Sequence, residues 1–439
     1  VKLAVVVQRY GADINGGAEQ HARYIAERLA RHAEVEVLTT CAQDYVTWRN
    51  DLPAGTDLVN GVTVRRFPVG HERDPDDFGR RSVQVFERTH SLHDELGWLD
   101  SEGPASRALV RYVTSTARVR DYFLFFSYRY YHAHHGVRAV PSKAVLVPTA
   151  ERDPAVGLGI FGPIFRGVRA VMYNSEEERA LIHGASGNQH VAGPVVGVGS
   201  EIPAGIDPAR FREKFGLTGP YAIYVGRIDD NKGCPELFDF FLSHLRATRS
   251  ALTLALVGRS VLPIPSHPRI RHLGFLDDRD KFDGIAGATA VMMPSYFESL
   301  SMVALEGWAL GRAVVANGRC DVLKGQCLRS NAGLFYENRR EFIETLGTIE
   351  ANRPLREMLG ANGRRFYERH YAWPVIDRKY LDTLERLAEE DRAGKPSSRA
   401  PEPLPGWFAR RRRTLPPSRE VVDAIPAGPV VPRARREAS

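Results

Sequence analysis

Tyr221-Ala222-Ile223-Tyr224-Val225-Gly226-Arg227-Ile228-Asp229-Asp230-Asn231-Lys232-Gly233 opens as a β-rich run, stops at a glycine and leads into a helical pattern. Pro235 to Arg246 carries that helix, and Leu252 to Val257 is a second β-rich run. Strand, turn, helix, strand is the repeating unit of a parallel sheet with crossover helices. The same alternation starts at the N-terminus. Lys2 to Gln8 reads as a strand, Gly11 to Gly17 as a loop, Ala18 to Arg31 as a helix and Glu34 to Thr39 as a strand. Val62 to Phe67, Asp121 to Phe126, Ala144 to Val147, Ala170 to Tyr173 and His190 to Val196 read as further strands of this first sheet, with a polar stretch of undefined structure before Tyr112.

The expected class is α/β, with two Rossmann-like domains. The N-terminal one spans residues 1–200, and a Gly- and Pro-rich linker spans 201–218. The second spans 219–371, with strands at Ala290 to Met293 and Ala313 to Ala316 and helices at Met302 to Leu310, Arg339 to Glu350 and Pro354 to His370. A last amphipathic helix fills 372–390, and a basic tail of disordered composition fills 391–439. Two α/β halves imply a cleft, and open sheets bind ligands beyond the carboxyl ends of their strands.

The chain has 439 residues, 43% of them hydrophobic and 26% charged, ordinary for a globular protein. Its net charge is +7, but residues 391–439 hold eleven Lys or Arg against five Asp or Glu, a net of +6. The folded part is therefore nearly neutral, and nucleic acid is not an expected partner. No apolar run approaches the length of a membrane span. Val1 to Val7 is too short for the apolar core of a signal sequence, so the expected compartment is the cytoplasm. Trp407-Phe408-Ala409 ahead of Arg410 to Arg413 leaves peripheral contact with an anionic membrane face as an alternative to a solvated tail. Cys41, Cys234, Cys320 and Cys327 fit neither a zinc knuckle nor a disulfide framework and read as reduced thiols.

The chemistry concentrates in the second half. In Pro294-Ser295-Tyr296-Phe297-Glu298-Ser299-Leu300-Ser301-Met302-Val303-Ala304-Leu305-Glu306, one carboxylate stands at the mouth of a helix and another about two turns in. Eight helical positions advance about 800°, which returns Glu306 to within about 80° of Glu298. Each carboxylate can accept a pair of hydroxyls, and a nucleotide sugar offers two such pairs. Upstream, Gly226 and Arg227 end a strand while Lys232 and Gly233 open a helix, a pattern suited to phosphate. In the first half, Gly16-Gly17-Ala18-Glu19 forms a strand-to-helix turn whose small residues admit a ligand to the backbone. There is neither a dinucleotide G-x-G-x-x-G nor a phosphate loop of the G-x4-G-K-S/T kind, which argues against an oxidoreductase and a nucleoside triphosphatase.

These residues resemble the retaining nucleotide-sugar glycosyltransferases of family four, which have the GT-B fold, and a bacterial branch of them. Gly16 to Glu19, Gly226-Arg227 with Lys232-Gly233, and Glu298 through Glu306 carry the resemblance. Gly205-Ile206-Asp207 with Phe211, and the run Asn317 to Tyr336, add to it. It covers roughly Lys2 to Glu390. The resemblance implies that two domains face across a cleft and that the last helix crosses back to the first. Arg227 and Lys232 would hold the donor diphosphate, and Glu298 would take sugar hydroxyls. Backbone amides near Ser299, Leu300 and Ser301 would approach sugar and phosphate, Glu306 would grip the ribose, and Gly17 would lie against the diphosphate from the other domain. No metal or other cofactor is expected, since cationic side chains and helix-terminal amides can stabilise the leaving group. Related sequences place a histidine after the strand that here ends at Pro148-Thr149-Ala150. This chain has Glu151, which can accept a sugar hydroxyl or act as base but cannot donate like an imidazole.

The expected function is transfer of a hexose-type sugar from a nucleotide-sugar donor to a glycan, glycolipid or metabolite acceptor, with Glu298, Arg227, Lys232 and Glu151 as the catalytic set. A non-catalytic nucleotide-sugar-binding scaffold and a transferase for sugar-phosphate acceptors, suggested by Arg9 and Arg152, are the alternatives. His132, His134 and His135 sit in an aromatic segment without a carboxylate partner and are read as packing residues or as lining for an acceptor site. Asp278-Arg279-Asp280 imitates a metal motif but precedes a helical stretch and is read as capping.

Overall fold

Apolar runs flanked by helical patterns pair as parallel strands, and they do so twice. A computed structural model describes residues 1–14, 16–394, 401–405 and 423. The described residues divide into two α/β units, one of residues 1–198 with those from Ile376 to 405, the other of residues 199–375 with residue 423. This is the expected class, the pair of Rossmann-like domains of a GT-B protein.

The first unit holds β1 (Lys2–Val6), β2 (Glu34–Thr40), β3 (Gly55–Val59), β4 (Val62–Phe67), β5 (Tyr122–Phe126), β6 (Ala144–Val147) and β7 (Ala170–Val171), in the order β3-β4-β2-β1-β5-β6-β7. All neighbours are parallel except β3 and β4. Leu3 to Val6 are fully buried, as a central parallel strand covered on both faces must be. The helices are α1 (Gly17–Leu29), α2 (Pro75–Glu87), α3 (Leu92–Glu102), α4 (Arg107–Thr116), α5 (Tyr131–Ala139), α6 (Gly162–Gly167) and α7 (Glu176–Ser186).

The second unit orders its strands β10-β9-β8-β11-β12-β13, all parallel: β8 (Tyr221–Val225), β9 (Thr253–Val257), β10 (Ile270–Gly274), β11 (Ala290–Met293), β12 (Val314–Asn317) and β13 (Gly333–Tyr336). Its helices are α8 (Pro208–Phe215), α9 (Cys234–Thr248), α10 (Asp278–Gly287), α11 (Met302–Ala309), α12 (Asp321–Ser330), α13 (Arg339–Ala351) and α14 (Arg353–His370). From β8 the chain winds outward through β9 and β10, then restarts at β11 on the other side. The crevice between β8 and β11 is therefore a topological switch point, the place where open α/β sheets bind their ligands.

Helix α15 (Trp373–Arg392) packs into the first unit from Ile376, burying Tyr380, Leu384 and Leu387. Arg28 grips Asp377 with two parallel bonds of 2.6 Å, and His21 Nε2 lies 3.0 Å from the Tyr380 hydroxyl. Among the described residues, no helix is long and apolar enough to cross a membrane.

Several elements differ from the sequence reading. The stretch before Tyr112 contains the edge strand β3 and three capped helices. Asp74 caps α2, Ser91 and Asp94 form a capping box on α3, and Ser106 caps α4. His190 to Val196 is not a strand. Gly193 and Pro194 interrupt it, and only isolated bridges at Ala192 and Val195 remain, because proline has no amide to give to a ladder. The 201–218 stretch, expected as linker, contains α8, capped by Asp207 and anchored through buried Phe211 and the Arg210–Asp283 ion pair. The final helix runs two residues past Glu390. Trp407 to Arg413 lies outside the described residues.

Candidate functional site

The loop after β8 is built by glycines. Gly226 has φ +149°, and Gly233, at the N-cap of α9, has φ +69°. A Cβ on Gly233 would collide with the carbonyl oxygen of Pro294, so this loop lies directly against the loop after β11. Asp229 organises the turn: its carboxylate accepts the Lys232 amide at 2.8 Å and holds the Arg227 Nε. The Arg227 side chain remains half-exposed.

Of the predicted residues, the switch point brings Lys232 and Glu298 into contact. Lys232 Nζ donates to Glu298 Oε1 at 2.8 Å, with the two side chains 31% and 13% exposed. Glu298 is not on a helix. It lies in the loop, and α11 starts only at Met302, after Ser301 in a left-handed conformation at φ 68°. The expectation that helical phase aligns Glu298 with Glu306 is therefore incorrect. The sharp turn at Ser299-Leu300-Ser301 sets their placement, and the Gln326 amide fixes it by donating to the Leu300 carbonyl at 2.6 Å. The first amides of α11 have no partner inside the helix and carry its positive end.

Glu306 is 3% exposed. Lys281 of α10, which the sequence reading did not single out, donates to its Oε1 at 3.1 Å. Burial pushes the Glu306 carboxyl above its usual pKa. Lys281 pulls it down, Asp278 pushes it up and the Ser200 hydroxyl pulls it down. Burial depresses the Lys281 ammonium, but Glu306 and Asp278 outweigh that and leave its pKa raised. Asp278-Arg279-Asp280 begins α10, where Asp277 accepts the Asp280 amide, Asp280 pairs with Lys214 and Asp278 with Lys281.

Gly16, Gly17 and Glu151 belong to the first unit. Gly16 packs against the Glu19 carboxylate, whereas nothing lies within 4 Å of where a Cβ on Gly17 would stand. Packing therefore does not require glycine at 17. Arg9 is spent on Glu19 through bonds of 2.9 and 2.6 Å, both side chains being buried. Glu151 follows β6 on a half-buried loop. Its neighbour Ala150 donates its amide at 2.5 Å to Glu178, which also takes the Asn174 amide at 2.5 Å. Burial pushes the Glu178 carboxyl up to about 8, the Asn174 and Ala150 amides pull the other way, and Glu151 adds to the rise. Glu178 thus pins the loop that carries Glu151. Its sequence signal was the capping pattern Ser175-x-x-Glu178, since the Ser175 hydroxyl accepts the Glu178 amide.

His132 and His134 are buried on α5, and burial lowers the pKa of both. His132 Nε2 lies 3.0 Å from the Phe126 carbonyl. Among the described residues, no three His, Cys, Asp or Glu side chains group as a metal site. The four cysteines are buried and unbridged.

Residues 219–351 match the family model described as glycosyl transferases group 1. The chain is 30% identical over 337 residues to a D-inositol 3-phosphate glycosyltransferase of Acidothermus cellulolyticus, covering 69% of this chain and 70% of that protein. It is 25% identical over 346 residues to a glycogen synthase of Mycobacterium tuberculosis, covering 72% and 78%. Among solved structures, Anabaena HepE in complex with UDP-glucose superposes with a TM-score of 0.63 at 17% identity, covering 88% of this chain and 99% of that one.

Proposed function

The chain belongs to the group 1 glycosyl transferases, and we propose that it moves a hexose-type sugar from a nucleotide-sugar donor to a carbohydrate, glycolipid or metabolite acceptor with retention at the anomeric carbon. The observation that carries this reading is the 2.8 Å pair of Lys232 and Glu298 at the β8–β11 switch point. A cation and a carboxylate there meet the two halves of the donor. Lys232, Arg227 and the N-terminus of α9 take the diphosphate, and Glu298 takes sugar hydroxyls. Glu306 takes the ribose pair.

Breaking the anomeric bond leaves negative charge on the departing nucleoside diphosphate while the sugar becomes oxocarbenium-like. Arg227 and Lys232 supply fixed positive charge where that charge develops. The reaction needs no metal in this scheme. Attack comes from the face the leaving group vacates, so Glu298 acts as a hydroxyl acceptor and not as a covalent nucleophile. Glu151, in the first unit, is assigned as a carboxylate that accepts a hydroxyl of the acceptor.

A neutral acceptor hydroxyl fits better than a sugar phosphate. Arg9, a candidate cation for a phosphate, is already neutralised by Glu19. The Acidothermus relative named for an inositol phosphate keeps the alternative in the test. Thermal stabilisation by UDP, ADP, GDP and UDP-glucose comes first, because a ligand of the native state at a hundred times its Kd adds about 2.7 kcal/mol. Acceptor screening with neutral sugars and sugar phosphates follows, with the product anomer read by NMR. A well-folded protein stabilised by none of these ligands refutes the donor site. Donor binding without hydrolysis or transfer returns the scaffold reading.

A further inference from the structure

Lys281 is an odd residue to find where it stands. It lies on α10 with its side chain only 15% exposed, its ammonium 4.2 Å from the centre of the Phe282 ring, 3.0 Å from Asp278 and 3.1 Å from Glu306. Of these carboxylates, the Asp278 side chain is 59% exposed and is solvated by water, whereas the Glu306 side chain is 5% exposed. A buried ammonium costs several kcal/mol unless a carboxylate repays it, so the position has to be justified by Glu306. An exposed cap partner for Asp278 would not need a buried lysine.

We propose that Lys281 is a positioning residue of the donor site, holding Glu306 ionised and oriented so that its remaining lone pairs accept the two ribose hydroxyls. This deepens the reading of Glu306 as the ribose acceptor and rests on it. A carboxylate has about four lone-pair sites. Lys281 uses one, which leaves room for a vicinal diol. Without the ammonium, a carboxylate this deeply buried takes up a proton more readily and then presents an O–H where the ribose needs an acceptor.

The charged groups that act most strongly on Glu306 come from one helix. Helix α10 contributes Lys281 and Asp278, and Ser200 contributes a hydroxyl. On α14, packed along the other flank of α11, Arg356 and Arg364 act on Arg312. Lys281 is thus the cation with the strongest hold on Glu306.

The experiment measures affinity by calorimetry for UDP, ADP and GDP and carries the tightest binder forward with its 2′,3′-dideoxy counterpart, across pH 6 to 8.5. Lys281→Met should weaken the ribonucleotide about tenfold at pH 7, one pKa unit's worth of charge preference. The loss should deepen as pH falls and be absent for the dideoxy nucleotide. Lys281→Arg should recover the affinity, and Lys281→Met should add nothing in a Glu306→Gln background. Lys281→Gln serves if the methionine variant melts early. Wild-type protein that binds none of the three overturns the donor reading and this inference with it. Wild-type binding with equal losses for ribo- and dideoxynucleotide, or with no pH dependence, overturns the inference alone.

Discussion

Lys232→Met separates what the Lys232–Glu298 pair does for stability from what it does for transfer. Methionine keeps most of the stem and removes the charge. The pair is partly screened, with side chains 31% and 13% exposed, so its loss should cost the fold no more than about 1 kcal/mol. In a unit of this size, that lowers Tm by about 2–4 °C. The cost to transfer is set differently. The ammonium acts on charge that develops only as the anomeric bond breaks, and losing one such preorganised donor typically lowers kcat by about 10²–10³, or roughly 2.7–4 kcal/mol. The kinetic penalty should therefore exceed the structural one about threefold. Nucleoside diphosphate release gives kcat and KM, and scanning calorimetry gives Tm. With Glu298→Gln the losses should be less than additive, since each single change already breaks the pair. Turnover near wild type from Lys232→Met, or a Tm drop large enough to account for the lost activity, would refute the assignment.

Gly233→Ala should be far worse than its single methyl suggests. It places a side chain at φ +69° and drives it into the Pro294 carbonyl, so about 1–3 kcal/mol of stability should go, together with nucleotide affinity, because the loops bearing Lys232 and Glu298 are forced apart. Chemical denaturation and nucleotide titration check both. Glu178 holds its proton up to about 8 in the fold but releases it near 4.5 when unfolded, so its contribution to stability falls as pH rises through that window. Glu178→Gln should cost about 1–3 kcal/mol at pH 5, where a buried amide acceptor is lost, and the gap to wild type should narrow towards pH 8. Urea melts at the two pH values that show a constant gap would argue that Glu178 is ionised throughout. His21, buried against Tyr380, has its pKa lowered to about 3 by burial, so its contribution fades as pH falls below its unfolded value near 6.5. His21→Phe should flatten that acid limb in a pH series of melts.

The central strands of both sheets were legible because parallel strands covered on two faces must be apolar runs, as Leu3–Val6 and Tyr221–Val225 are, whereas β10 and β13 at the edges of the second sheet were not read. Edges were harder. β3 is exposed at four of its five positions and so carries no burial pattern. Its signal was local: Asn60-Gly61 between Val59 and Val62, with φ 49° and 81°, is a hairpin turn of the type that demands two left-handed residues. Helices α2, α3 and α4 were signalled by their caps, Asp74, Ser91 and Ser106. The linker reading gave Gly205 and Pro208 too much weight, although Pro at N1 and Gly at the C-cap bracket a helix as readily as they break one.

The site shows the same division. Residue types near the switch point could be read from the chain, but partners could not. Lys232 and Glu298 are 66 positions apart and Lys281 and Glu306 are 25 apart, and only the crossing of β8 to β11 makes the first two neighbours. The helical-phase argument for the two glutamates failed for a reason that bears on mechanism. Had one regular helix carried both, Glu298 would lie on a rigid face and the amides at Ser299, Leu300 and Ser301 would all point along the axis of its first turn. The left-handed Ser301 delays α11 until Met302, which keeps those amides out of the helix and puts Glu298 on the loop beside Lys232. Strain of this kind costs about 1–3 kcal/mol and persists where the surrounding structure imposes it, here through the Gln326 bond to the Leu300 carbonyl. Ser301→Gly should therefore relieve strain and raise stability slightly while loosening the turn. If sugar recognition depends on the fixed turn, KM for the donor rises as Tm rises, whereas a turn that merely connects β11 to α11 would let Tm rise with KM unchanged.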